Sequence, residues 1–143
     1  MTSANWFMWA VLSAVFAALT AIFAKVGLEG VDSDLATLVR TVVIFAVLSG
    51  FVYFTGKWSN PLALSQRTWL FLVLSGLATG ASWVCYFRAL KVGDASQVAP
   101  IDKLSVVLVA LFAVIFLGER PSAVGWLGIL MVGGGVLVLA LNR

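Results

Sequence analysis

Charge is what this chain has least of. Only 10% of its 143 residues are Asp, Glu, Lys or Arg, against about 25% in an ordinary globular domain. Histidine is absent and cysteine occurs once, at Cys85. No intrachain disulfide can form, and Cys/His zinc sites within one chain are excluded. Acidic residues number six, so paired-carboxylate chemistry has few candidates. There is no G-x-S-x-G elbow and no G-x-x-x-x-G-K-[ST] loop, which leaves no nucleophile elbow and no site for ATP-driven work. With no catalytic set and no metal-ligand cluster, neither an enzyme nor a metal or cofactor requirement is expected. The nine basic residues are scattered without a run or stripe, so the net charge of +3 does not point to nucleic acid.

Apolar residues fill the space that charge leaves. They make up 62% of the chain, and the mean hydropathy is +1.09. A soluble domain of this size cannot bury that much apolar surface, and disordered chains lack hydrophobic residues altogether. The solvent that fits is a lipid bilayer. Short polar clusters divide the chain into five apolar runs, at about 6–26, 35–54, 68–90, 95–117 and 123–141. Each is roughly 19–23 residues, or about 28–35 Å of helix, which matches a hydrocarbon core of about 30 Å. Backbone in lipid must satisfy its own hydrogen bonds, so the runs are helices. The expected fold is an all-α membrane protein of five transmembrane helices in a single domain spanning 1–143. No positive n-region precedes Trp6 and the first apolar run is long, so span one reads as a retained helix and not a cleaved signal.

Local signals mark the ends. Asn5 can cap span one, Asp32-Ser33-Asp34 is an N-cap cluster for span two, and Asp94 with Gln97 resembles a capping box for span four. Lys25 lies in the last turn of span one, favourably placed against the helix dipole. Arg88, near the end of span three, is expected to reach the headgroups. Trp6, Trp9, Trp58, Trp69 and Trp126 sit near span ends, as an aromatic belt does. Small residues in span one and the glycines of span five, Gly125, Gly128 and Gly133 to Gly135, resemble close-packing surfaces. Span five, without charge between Ala123 and Leu141, is the better dimer seam.

Three charges fall inside the spans: Arg40, Asp102 and Lys103. A charge at mid-bilayer costs about 2.5–3.5 kcal/mol on insertion scales, so such residues mark functional sites or paired structural ions. All three belong to one leaflet. Neighbours in a helix point about 100° apart, so Asp102 and Lys103 are not expected to pair. Asp102 can pair with Arg40, leaving Lys103 for a substrate, or with Lys103 of the partner subunit. The alternative is a structural ion pair with the cations snorkelling to the interface. Two cations and one anion favour an anionic or zwitterionic solute. Pro100, just before these charges, removes a backbone hydrogen bond and favours a helix kink. In span three Gly76, Thr79, Gly80, Trp83 and Tyr86 share a face. The glycine pair reads as helix packing; Trp83 and Tyr86 either pack or line a cavity. The candidate substrate-binding set is therefore Arg40, Trp83, Tyr86, Asp102 and Lys103.

The stretch WVCYFRALKVGDASQVAPIDKLSVVLVALFAVIFLGERPSAVGWLGILMVGGGVLVL, from Trp83 to Leu139, resembles the EamA-type domain of the drug/metabolite transporter superfamily. The cues are Phe87, Ala89 and Leu90 before span four, Pro100, the Leu117-Gly118-Glu119 turn and the Gly-rich last span. The segment from Gly30 to Thr37 with Arg40-Thr41 looks like the five-span members. Most members carry two such domains and ten spans. The resemblance therefore implies half of a ten-helix inverted-repeat transporter, working as a homodimer or with a paired partner. It also implies secondary transport of a small molecule, often efflux, across a prokaryotic inner membrane, with lipid as the other partner. A non-transporting scaffold subunit and a flippase of lipid-linked substrates are the alternatives. Span one holds no acid, unlike the four-span multidrug branch.

Orientation is nearly balanced. Lys57, Arg67 and Arg120 lie on one side and Lys25, Arg88, Lys91 and Arg143 on the other. Adding Arg40 and Lys103 to their nearer side widens the gap without settling it. A chain inserted both ways forms an antiparallel dimer with a two-fold axis in the membrane plane. A C-terminal accessibility tag separates the cases: labelling from both faces is expected for dual topology, and labelling from one face alone removes it.

Overall fold

The computed structural model describes residues 3–141 and is helical throughout. The helices are α1 (Ser3–Gly27), α2 (Ser33–Phe54), α3 (Gln66–Val92), α4 (Ala95–Asp102), α5 (Leu104–Leu117) and α6 (Ala123–Leu141), with a 3-10 turn at Pro61–Ala63. No strand occurs among the described residues. Five segments are long and apolar enough to cross a membrane, α4 and α5 together making the fourth. This is an all-α, multi-pass membrane protein. Helix α1 begins at Ser3, so Asn5 stands in its first turn and not at the cap; the Asn5 side chain lies outside the described residues, as does Arg143.

Phe23–Val92 forms one compact unit, here the middle unit; the segments up to Ile22 and from Gly93 form the other, the terminal unit. In the middle unit α2 and α3 pack together beside the end of α1. Asp32 caps α2 as the sequence leads one to expect, its Oδ1 accepting from the N–H groups of Asp34 (2.9 Å) and Leu35 (3.1 Å). Helix α3 starts two residues before the expected Thr68 because Ser65 Oγ takes the Thr68 N–H at 3.1 Å. At the far end of α3, Lys25 Nζ donates to the Leu90 carbonyl at 2.8 Å and Lys91 Nζ donates to the Val31 carbonyl. Both carbonyls belong to chain ends that no intrahelical donor reaches. Leu28, Phe87 and the fully buried Leu90 form the core beneath these ties.

In the terminal unit α6 packs against both α4 and α5. Gly133 is the contact point: a Cβ there would meet Val107 Cγ2 at 3.0 Å, so glycine permits the approach. Gly118 ends α5 with φ +68°, and the Glu119 N–H turns back to the Ala113 carbonyl at 3.1 Å. Ser122 Oγ accepts the Gly125 N–H at 3.1 Å and starts α6.

The Asp94–Gln97 capping box is not formed. Asp94 occupies the N-cap position without a side-chain hydrogen bond. Its carbonyl oxygen takes the N–H groups of Gln97 (3.0 Å) and Val98 (2.9 Å).

Span four is interrupted at Lys103. Pro100 has no N–H to give the carbonyl of Ser96, and its ring crowds that carbonyl. The chain tightens in response. Lys103 N–H bonds the Pro100 carbonyl at 2.9 Å and Val106 N–H bonds the Lys103 carbonyl at 3.0 Å, both three residues back instead of four.

Removing the Asp32 cap by Asp32→Ala is expected to cost about 1 kcal/mol, with Asp32→Ser retaining most of the stability. Unfolding titrations in mixed micelles measure both.

Candidate functional site

Helix periodicity builds a groove inside the middle unit. Asp34, Thr37, Leu38 and Thr41 recur on α2 at steps of three, one and three, so they share one face. On α3, Leu72, Ser75, Gly76, Thr79, Gly80 and Trp83 form the matching face, with Val84 beside them. The two faces flank an open groove of about 590 Å³. The glycines make the room. A Cβ at Gly76 or Gly80 would meet nothing within 4 Å, so within the middle unit the pair leaves room and admits no helix. The spacing alone cannot distinguish a glycine that admits a helix from one that admits a ligand.

Arg40 sits roughly 10 Å along α2 from Ser33 by helix rise. Its guanidinium carbon stands 4.2 Å from the centroid of the Trp83 ring and 5.2 Å from that of Phe87. Cation–π contact of this kind contributes about 0.5–1 kcal/mol when exposed and about 2 kcal/mol when desolvated. That offsets a large part of the cost of an arginine in hydrocarbon. Phe87 is 2% exposed and supplies the base of the stack. Tyr86 adjoins it, with ring centroids 6.4 Å apart, and is not among the groove-lining residues.

Asp34 stands at the start of α2 and forms a bidentate pair with Arg88 of α3, Nε to Oδ1 at 2.9 Å and Nη2 to Oδ2 at 2.6 Å. Arg88 therefore has a partner within the protein. The acid occupies the first turn of one helix and the base the end of another, each favoured by the dipole it faces. Fork-to-carboxylate geometry fixes the pair more firmly than a single contact.

Asp102 and Lys103 lie in the terminal unit, at the helix interruption. They form an ion pair with Nζ 3.1 Å from Oδ2. This corrects the expectation that sequence neighbours point too far apart to pair. The 100° rule holds within a regular helix; here α4 ends at Asp102, and the flexible lysine stem folds back across the break. The structure thus joins Arg40 with Trp83 in the middle unit, and Asp102 with Lys103 in the terminal unit.

Sequence reading missed Asp34, Thr37, Thr41 and Ser75 as lining residues. A signal was present: hydroxyls four apart on span two (37 and 41) and again on span three (75 and 79). It was obscured because threonine and serine are common in membrane helices, where they bond their own backbone. Among the described residues no cluster of His, Cys, Asp or Glu is suited to a metal ion.

A family model described as "EamA-like transporter family" matches residues 4–141. An "Uncharacterized transporter in cobO 3'region" of Sinorhizobium sp is 59% identical over 138 residues, covering 96% of this chain and 98% of that protein. "Uncharacterized transporter YxxF" of Bacillus subtilis is 28% identical over 95% of this chain and 42% of its own length. "Pseudopaline exporter CntI" of Pseudomonas aeruginosa is 30% identical over 73% of this chain and 38% of its own length. The chain thus spans nearly all of the Sinorhizobium relative and less than half of the other two. No solved structure matches it.

A double-mutant cycle between Arg40→Met and Trp83→Leu is expected to give a coupling of about 0.5–2 kcal/mol. The same cycle between Arg40→Met and Tyr53→Leu, with Tyr53 outside the stack, serves as the control and is expected to give none. Steric-trapping unfolding in bicelles measures both.

Proposed function

Because this chain belongs to the EamA-like transporter family, we propose that it is a secondary transporter that exports a small organic solute across the cytoplasmic membrane of a prokaryote. Two copies act together as a homodimer and alternate access between the two sides. The observation that carries this reading is the groove between α2 and α3. It sets hydroxyls and an aromatic face along the spans, where polar groups are costly unless they have work to do, with a carboxylate at one end. Its size, about 590 Å³, is in the range of small-molecule sites.

Length supports the dimer. Two relatives have this chain's span as less than half of their own, which agrees with a fold built from two repeats in one polypeptide. The Sinorhizobium relative, matched over 98% of its own length, is one repeat long, and in this reading a second copy supplies the other half. Exporter is the direction named for the Pseudomonas relative, and it is the direction we assign. In this reading Arg40 positions Trp83, and Trp83 meets the solute. Tyr86 supports the same aromatic group through Phe87. Asp102 and Lys103, at the interrupted fourth span, are a second polar station for the solute as it moves.

The alternative of a non-transporting scaffold is separated by flux. Untargeted comparison of the medium from a deletion strain and an overproducing strain identifies the solute, and proteoliposomes then measure its transport. Saturable flux is expected. Gly80→Leu, which fills the groove where nothing stands within 4 Å, is expected to reduce it at least about tenfold while the chain stays folded, since leucine also has the higher helix propensity. No extracellular difference and no saturable flux would leave the scaffold.

A further inference from the structure

The hydrogen-bond polarity of the groove bears on what the groove takes, and the inference rests on the groove being the substrate site. A hydroxyl has one proton to donate and two lone pairs to accept with. Three of the four groove hydroxyls have already spent the proton. Thr37 Oγ1 donates to the Ser33 carbonyl at 2.8 Å, Thr41 Oγ1 to the Thr37 carbonyl at 2.7 Å, and Thr79 Oγ1 to the Ser75 carbonyl at 2.9 Å. To any ligand these oxygens can only accept. Asp34 is likewise an acceptor: Arg88 occupies one site on each carboxylate oxygen, and each oxygen retains another. Against these four acceptors, the donors on lining side chains are the Ser75 hydroxyl and the Trp83 indole N–H.

No lysine or arginine lines the groove. Arg88 pairs with Asp34 and balances its charge, while Arg40 remains a cation over the rings of Trp83 and Phe87. Selection therefore rests on hydrogen-bond polarity and not on net charge: an anion would set its acceptors against threonine lone pairs with no lining cation. A quaternary ammonium ion would bring charge but no N–H, leaving the acceptors unpaired in a low-dielectric setting, which is costly. Leu38, Leu72 and Val84 complete an apolar bed around these oxygens.

We propose that the groove binds a small organic amine, with a protonated ammonium group donating to the Thr41 and Thr79 oxygens and an apolar or aromatic body lying along Gly76, Gly80 and Trp83. The selected feature is the N–H donor and not positive charge alone.

The test uses the full chain in nanodiscs and three probes that share an indole body: tryptamine, its N,N,N-trimethyl derivative and indole-3-propionate. Scintillation proximity with labelled tryptamine, and competition by the other two, give the affinities. Tryptamine is expected to bind at least about tenfold more tightly than either analogue, the worth of one charge-assisted hydrogen bond. Thr79→Val keeps the shape and removes the acceptor. It is expected to weaken tryptamine about five- to tenfold and leave the trimethyl derivative unchanged. Gly80→Leu is expected to abolish binding of tryptamine, with a melting curve confirming the fold.

The outcomes separate two failures. If Gly80→Leu blocks binding but the trimethyl derivative or the propionate binds as tightly as tryptamine, the groove stands and the amine assignment falls. Tryptamine binding that Gly80→Leu leaves untouched would show that the groove is not the site, and the underlying reading falls with it. If none of the three probes binds, the amine assignment is overturned while solute flux in proteoliposomes still judges the transporter reading.

Discussion

An arginine at membrane depth needs a partner other than water, and the rest of the middle unit follows from how Arg40 finds one. Its guanidinium lies over Trp83 and Phe87. That choice orients Trp83 along the groove and makes Phe87 a core residue. It also commits the positive charge to the aromatic rings. The same economy recurs at the end of α3. Arg88 goes to Asp34, Lys25 to the Leu90 carbonyl and Lys91 to the Val31 carbonyl. Three cations there meet oxygens of the chain itself, and the end of α3 is tied to the segments that precede it.

What the basic residues leave behind is a surface of oxygen lone pairs between two helices. Threonines in membrane helices return their protons to the backbone because hydrocarbon offers no other acceptor. The consequence for Thr37, Thr41 and Thr79 is a fixed polarity: the backbone takes the donor and the groove receives the acceptor. Glycines at 76 and 80 keep the wall low enough for a body to lie against it. The terminal unit handles its charges differently. A proline-induced tightening of span four lets Asp102 and Lys103 pair across a helix break, so the intramembrane charges are neutralised locally.

Much of this was legible in the residues, and the parts that were not share a cause. The five spans are continuous apolar runs, so their ends fall within a few residues of expectation. Asp32 caps α2 because a cap is a local event, settled within three residues. The pair Asp34–Arg88 was hidden because its members are 54 residues apart, and each has a sufficient local reading as cap or anchor. The capping box at Asp94 shows that a matching local pattern does not by itself form the bond: the residue takes the N-cap position, but its side chain makes no cap hydrogen bond. Gly76 and Gly80 show the limit of a motif. G-x-x-x-G states that one face is smooth, and only the neighbouring helix decides whether the smooth face is filled or open. The membership in the EamA-like transporter family was readable from the order of its motifs, and the family match over 4–141 bears it out.

The central claim is that the face of α2 and α3 bearing these hydroxyls lines a watery groove while other faces of the same helices meet lipid. Substituted-cysteine labelling tests it directly. In a Cys85→Ala background, a water-soluble methanethiosulfonate reagent is applied to Thr41→Cys and Thr79→Cys on the groove. Val43→Cys and Leu74→Cys report on exposed apolar positions on the opposite faces of the same two helices. Rapid modification at 41 and 79, with 43 and 74 unreactive, is the result expected. Equal silence at all four positions, or modification at 43 and 74 as fast as at 41 and 79, would contradict the account.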